Sequence, residues 1–266
     1  MVGEKMNFKI LLIFIAFVTF MVACSTQTST YSRNVYNNVL MLKKDNIPSY
    51  FFPRDLNIVS IGDSLTEGVG DTTNRGGYTS FLEQQLLLEK GIKSVSIFNY
   101  GAQGHRTMDV LNRLSNSIPN ESIHNSDAVI ITIGGNDMMK VVEENFFNLS
   151  FDTFQKEQKT YQQRLKLILD KIKNVNSDTH IYVVGLYNPF LLIGDVSNEV
   201  NMVITNWNET TRTLLMEYEG TTFVEIEDIF LNNTEVLLSN DEFHPNTRGY
   251  ELIAGRIAEY MEKNNN

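Results

Sequence analysis

Apolar and polar positions along this chain follow two periods that take turns. From Leu56 onward, short runs rich in β-branched residues occur at Leu56–Ile61, Val95–Asn99, Ala128–Ile133, Ile181–Leu186 and Thr222–Ile226. Between and after them lie stretches with helical spacing: Tyr78–Lys90, Thr107–Leu114, Phe151–Asn174, Glu199–Glu219 and Thr247–Lys263. Strand–helix alternation of this kind predicts an α/β domain, a parallel sheet with helices on both faces. Crossovers in such sheets are right-handed, so all five strands point the same way. No internal repeat interrupts the pattern, and no break starts a second domain.

Before Leu56 the pattern is different. Lys5 and Lys9 precede an apolar stretch from Ile10 to Phe20, which leads into Met21-Val22-Ala23-Cys24. That stretch is too short to span a hydrocarbon core of about 30 Å, which needs roughly 20 residues. It has the proportions of a signal peptide over residues 1–23, and a start at Met6 gives the same signal with a shorter basic end. Residues 24–50 are polar and Asn-rich, and read as a tether, with an ordered helix over 35–44 as the alternative. The folded domain is expected over 51–266. Met-Val-Ala-Cys resembles a bacterial lipobox, although Met21 stands where leucine is usual. The resemblance implies a lipid on Cys24 and a location at the outer face of the cell membrane; the plainer alternative is a secretory signal with an incidental cysteine.

Composition narrows the possibilities. Hydrophobic residues make up 42% of the 266 and charged residues 20%, the balance of a globular protein that folds around its own core. Cys24 is the only cysteine, so no internal disulfide forms. Net charge is −10, and the chain beyond residue 23 is one unit more negative. An acidic chain without a basic run carries no electrostatic footprint for nucleic acid and is not drawn to anionic lipid. Attachment to a membrane therefore has to come from the Cys24 lipid.

The candidate chemistry lies in four loops, each expected after a strand. In an open parallel sheet, sites form outside the carboxyl ends of the strands, so residues far apart in sequence meet there. The first loop, Gly62-Asp63-Ser64-Leu65-Thr66-Glu67-Gly68, presents Ser64 between glycines. In the second, Asn99-Tyr100-Gly101-Ala102-Gln103-Gly104-His105-Arg106, Gly104 can bring a bare N–H close to a substrate oxygen. The third, Gly134-Gly135-Asn136-Asp137, can point the Asn136 amide into the crevice. The fourth is Asp241-Glu242-Phe243-His244-Pro245-Asn246-Thr247. An aspartate three residues ahead of a histidine can accept the Nδ1 proton and leave Nε2 as a base, and Thr247 can cap the helix that follows. Each loop alone has an ordinary reading as a turn or cap.

In this order the four blocks resemble the SGNH (GDSL-type) hydrolase superfamily, over most of the chain from about Leu56. The closing Asp-x-x-His-Pro-Asn-x-x-Gly-Tyr run is the most specific part. The resemblance implies a three-layer α/β/α sandwich with a five-stranded parallel sheet, the flavodoxin-like SGNH fold. It also implies Ser64 as nucleophile, His244 as base and then acid, and Asp241 as the residue that orients His244. Ser64 N–H, Gly104 N–H and the Asn136 amide become the oxyanion donors, and neither metal nor cofactor is required. Asp63 and Asp137 are expected to hold their loops, and His124 and His180 to be solvated; His105, next to the oxyanion glycine, either touches substrate or lies at the surface.

The superfamily includes lipid esterases, lysophospholipases, thioesterases and carbohydrate deacetylases. Phe146, Phe147, Leu149, Phe151 and Phe154 follow the Asn136 block and can line an acyl pocket, which favours an acyl-ester substrate. Deacetylation of a surface glycan is one alternative. A non-catalytic surface-binding protein on the same fold is the other.

Overall fold

The computed structural model describes residues 52–145, 150–190, 196–231 and 233–265. The expected signal peptide, Cys24, the tether with its helix over 35–44, and Phe146, Phe147 and Leu149 lie outside the described residues.

Five strands form one parallel sheet in the order β2-β1-β3-β4-β5. They are β1 (Arg54–Gly62), β2 (Ile92–Gly101), β3 (Ala128–Thr132), β4 (His180–Val184) and β5 (Thr221–Val224). Every residue of β3 is buried, as a central strand covered on both faces demands. β2 starts at Ile92, earlier than the sequence pattern suggested. It is an edge strand, and an edge pairs through its backbone while leaving Lys93 and Ser96 exposed.

Ten helices are described: α1 (Ser64–Glu67), α2 (Tyr78–Leu86), α3 (Thr107–Asn116), α4 (Asn120–His124), α5 (Gly135–Glu144), α6 (Phe151–Val175), α7 (Val196–Leu215), α8 (Glu227–Phe230), α9 (Thr234–Leu237) and α10 (Thr247–Asn265). They lie in two layers. On one face, Val59, Ile61, Val129 and Ile131 of the sheet pack with Leu165, Ile168 and Leu169 of α6 and Trp207 of α7. On the other, Ile58 and Ile130 pack with Tyr78 and Leu82 of α2 and with Tyr250, Ile253 and Ile257 of α10. Neighbouring strand residues point to opposite faces, so one β-branched run feeds both layers.

α6 shows how the sequence sets a helix. Ser150 caps it by accepting the Thr153 N–H, and Tyr161, Leu165, Ile168, Leu169 and Ile172 fall on one stripe that is buried. Each of these side chains contributes about 1.5–3 kcal/mol by leaving water.

Sheet order places the site. The chain steps from β1 outward to β2, then crosses back to β3 on the other side of β1. The crevice at the carboxyl ends of β1 and β3 is thus the switch point where α/β sheets bind ligands. Register brings the strand ends level: Gly62 pairs with Gly101 of β2 and with Thr132 of β3.

Candidate active site

Ser64 opens α1 directly after β1 and is 3% exposed. Asp63 caps this single turn by accepting the Leu65 N–H at 3.0 Å, and Gly68 closes it in the left-handed region. Beneath it runs a buried line of hydroxyls. Thr132 Oγ1 donates to Asp63 Oδ1 at 3.0 Å and lies 2.7 Å from Thr66 Oγ1. Thr66 Oγ1 is 3.1 Å from the Tyr78 hydroxyl, which is 2.5 Å from Ser60 Oγ. Burial pushes the Asp63 carboxyl up to about 7, against the hydrogen bonds from Leu65 and Thr132. Burial likewise pushes the Tyr78 hydroxyl up to about 12.

The fourth loop is a closed hairpin-like turn. Leu238 bridges to Pro245, and Ser239 N–H donates to the His244 carbonyl at 2.8 Å. Inside it, Asp241 Oδ1 accepts from Ser239 Oγ (2.7 Å), Phe243 N (3.0 Å) and His244 N (2.9 Å). Asp241 Oδ2 accepts from His244 Nδ1 at 2.6 Å. Burial raises the Asp241 carboxyl, but the hydrogen bonds from His244, Ser239 and Phe243 outweigh it and hold the group well below the usual carboxylate range. With the ring proton on Nδ1, His244 Nε2 offers a lone pair to the Ser64 hydroxyl, 2.9 Å away. Three side chains separated by up to 180 residues thus form one line.

This loop does not follow β5 directly: α8 and α9 intervene. Nor does Thr247 cap the last helix. Asn246 Oδ1 takes the Gly249 N–H at 3.0 Å, while Thr247 Oγ1 donates to Asp71 Oδ1 at 2.9 Å and accepts the Thr72 N–H. Those contacts tie the segment after His244 to the loop that follows Ser64.

The second loop can be read by accounting for its backbone donors, since every buried N–H needs an acceptor. Ala102 N–H goes to Gly62 O, Gln103 N–H to the Glu67 carboxylate, His105 N–H to Ala102 O, Arg106 N–H to Asp109 and Thr107 N–H to Asp137. Among the described residues the Gly104 N–H has no acceptor, and neither has the Ser64 N–H. Gly104 sits at φ +77°, where an L side chain is strained. Asn136 Nδ2 donates to the His105 carbonyl at 2.9 Å, which uses one of its two protons. Asn136 lies in the first turn of α5, so the plainer alternative of a turn former does not hold for it. Asp137, fully buried, accepts from Thr107 N (2.9 Å) and Thr107 Oγ1 (2.6 Å), with Arg164 at 3.5 Å.

Ser64, Asp63, Thr132 and Asn136 share a cavity whose wall is mostly apolar, with Ile133, Met138, Met139, Leu186, Phe190 and Phe243 among its lining. Gly104 does not line it; Asn136, which does, holds the carbonyl of the next residue, His105. Phe151 is exposed and Phe154 packs from α6 against the core, and neither lines the cavity. The apolar wall comes instead from α5 and from the segment after β4, where Leu186, the last residue of the run read as a strand, is followed by Tyr187, Pro189 and Phe190, for which the sequence predicts no role. Their run of large apolar residues just past a strand end was the available signal.

The other histidines differ from one another. His124 ends α4 and is exposed. His180 is half-buried, within 2.8 Å of Thr222 Oγ1, and burial together with Lys173 lowers its pKa, so it is not a solvated side chain. His105 is partly buried, and its Nδ1 is enclosed without a partner. Among the described residues no group of three or more His, Cys, Asp or Glu is placed to hold a metal ion.

Residues 60–252 match the GDSL-like lipase/acylhydrolase family. The chain is 36% identical over 208 residues to "Uncharacterized protein YpmR" of Bacillus subtilis (strain 168), covering 77% of this chain and 81% of that protein. It is 25% identical over 209 residues to the spore germination lipase LipC of Bacillus licheniformis, covering 76% and 94%. Among solved structures, the lipase Lip_vut3 from a goat rumen metagenome superposes with a TM-score of 0.66 at 23% identity, covering 76% of this chain and 95% of that one.

Proposed function

This chain belongs to the GDSL-like lipase/acylhydrolase family, and we propose that it is a serine esterase that hydrolyses acyl esters while held by a lipid on Cys24 at the outer face of the cell membrane. The observation that carries the catalytic part is the continuous line Ser64 Oγ–His244 Nε2 at 2.9 Å and His244 Nδ1–Asp241 Oδ2 at 2.6 Å.

In this reading Ser64 Oγ attacks the ester carbonyl carbon while His244 Nε2 takes its proton. The carbonyl π electrons move to oxygen, and that oxyanion is met by the unspent N–H groups of Ser64 and Gly104 and the second proton of Asn136 Nδ2. His244 then gives its proton to the departing alkoxide, leaving an acyl-Ser64 ester. Water, deprotonated by the same Nε2, attacks that ester, and the acid leaves as the Ser64 hydroxyl is restored. Asp241 stays ionised throughout and steadies the imidazolium that forms twice per turnover. The edge of Phe243, with its ring centre 5.0 Å from that of His244, limits rotation of the imidazole.

The apolar wall of the cavity supports a hydrocarbon acyl group as the part bound beside Ser64, and the lipase among the relatives supports the same substrate class. Support for the anchor comes from the sequence alone, the short apolar segment that ends at Cys24. A fluorophosphonate probe and an ester panel test the reading together. The expected result is covalent labelling of Ser64 and turnover of acyl esters longer than acetyl. Turnover of acetylated sugars alone would move the substrate to glycans, and labelling with neither would overturn the esterase.

A further inference from the structure

We propose that Glu67 is a positioning residue that latches the Gly104 loop, and so sets the aim of the Gly104 N–H. This rests on the reading of Gly104 as an oxyanion donor. Glu67 ends the same single helical turn that Ser64 begins, and its carboxylate accepts the N–H of Gln103, the residue just before Gly104. On the far side, Asn136 Nδ2 holds the carbonyl of His105, the residue just after it. The two residues that flank Gly104 are thus held from the two elements that carry the nucleophile and the amide donor, each one peptide bond away from Gly104 itself.

Gly104 itself lies inside the turn closed by the His105 N–H to Ala102 O bond, and no side chain packs on it. A Cβ placed there would meet no atom within 4 Å, and its φ of +77° belongs to a residue with broad conformational freedom. Its N–H direction is therefore decided by its neighbours. One of them is fixed already: Ala102 N–H donates to Gly62 O, at the end of β1. Gln103 lies between that fixed point and Gly104, and Glu67 is the group that holds its amide. The close seat of the two segments is visible at Gly101, where a Cβ would come within 2.1 Å of the Glu67 N. With no room for a side chain at Gly101, the two backbones lie close and the carboxylate of Glu67 reaches the loop on a short path.

A latch acts on the transition state, because an oxyanion donor that points elsewhere still allows substrate to enter the apolar cavity. Glu67→Ala removes the acceptor and is expected to lower kcat about tenfold while KM stays within about twofold, a small part of the loss expected for a missing oxyanion donor. Glu67→Gln keeps an acceptor oxygen and is expected to recover most of that loss. Amide hydrogen exchange gives a readout that does not depend on turnover: Gln103 N–H exchanges faster in Glu67→Ala and returns towards its slow rate in Glu67→Gln. Full activity and unchanged exchange in Glu67→Ala would overturn the latch while the esterase stands. Equal losses in the two variants would also overturn it, since the acceptor would then not be what matters. A wild type with no turnover and no labelling at Ser64 would overturn the esterase reading and this inference with it.

Discussion

The hydroxyl of Tyr187 donates to the carbonyl of Phe243 at 2.6 Å, joining the segment after β4 to the peptide bond that immediately precedes His244. Tyr187 is itself locked, stacked on Phe230 with ring centres 4.0 Å apart. Tyr187→Phe deletes this bond and little else. A partly buried carbonyl that loses its donor costs on the order of 1 kcal/mol, or a few degrees of Tm for a domain of this size. The loop that carries His244 loosens, and kcat on a short acyl ester is expected to fall roughly three- to tenfold with KM nearly unchanged. Wild-type kcat in a variant with lowered Tm would show that Asp241 and Pro245 hold the loop without help.

Ser64→Ala leaves every backbone contact of α1 in place, since the capping oxygen belongs to Asp63. It is expected to lower kcat by about 10⁴–10⁶ with an unchanged melting curve. Asp241→Asn also keeps an oxygen for the backbone donors, but its amide cannot serve as a charged acceptor for His244 Nδ1–H, and a loss on the order of 10⁴ is expected. Steady-state kinetics on purified variants reads both, and activity within tenfold of wild type in Ser64→Ala would remove Ser64 from the mechanism.

Asn136→Ala removes one oxyanion donor and also frees the His105 carbonyl. We expect kcat to drop by about 10²–10³ with little change in KM. If only KM changes, Asn136 binds the ground state and the oxyanion falls to the two backbone amides.

The sheet was legible because strands buried on both faces leave compact β-branched runs, and β1 and β3 were found to within two residues at each end. The four blocks were legible because glycine, aspartate and histidine are rare at such spacings. Helices α1, α4, α8 and α9 were missed because four or five residues are too few to show a period. α5 was missed because a Gly-Gly pair reads as a turn, and only Met138 and Val141 among its apolar residues are buried. Thr247 was misread as a cap because its hydroxyl answers to Asp71, 176 residues away, and no local pattern reports a contact of that separation. The grip of Glu67 on Gln103 and of Tyr187 on Phe243 is invisible in sequence for the same reason.

Among the described residues no helix is long and apolar enough to cross a membrane. The proposed attachment rests on the sequence around Cys24; a single fatty chain binds bilayers only marginally whereas two chains hold stably. The acidic chain offers no polybasic second signal. Cys24→Ser is expected to shift the protein from the membrane fraction to the medium, or to an unprocessed precursor, as read by immunoblot. Mass measurement of the wild-type N-terminus should find a lipid adduct on Cys24. A freely released wild type with an unmodified Cys24 would end the lipoprotein assignment and leave the esterase untouched.

Asp63 makes the stability of the fold depend on pH in a direction opposite to most carboxylates. Burial raises its carboxyl from an ordinary 3.8 to about 7, and the hydrogen bonds from Leu65 and Thr132 offset only part of that. Between those two values the unfolded chain has released this proton and the folded chain still holds it. The contribution of Asp63 is therefore fully present below about pH 4, declines as pH rises towards 7, and is constant above, where both states are ionised. The slope cannot exceed about 1.4 kcal/mol per pH unit for one proton. Asp63→Asn keeps the acceptor oxygen for Leu65 and Thr132 and cannot ionise, so it is spared this decline. Melting curves of the two proteins are expected to diverge in favour of the variant from about pH 5 to 7 and then run parallel, by about 2–4 °C for each kcal/mol. All other carboxylates are common to both proteins and cancel in the difference. A difference that stays constant from pH 5 to 8 would mean that Asp63 is ionised in the fold like an exposed aspartate, and that the hydroxyls of Thr132, Thr66 and Tyr78 beneath it stabilise its charge.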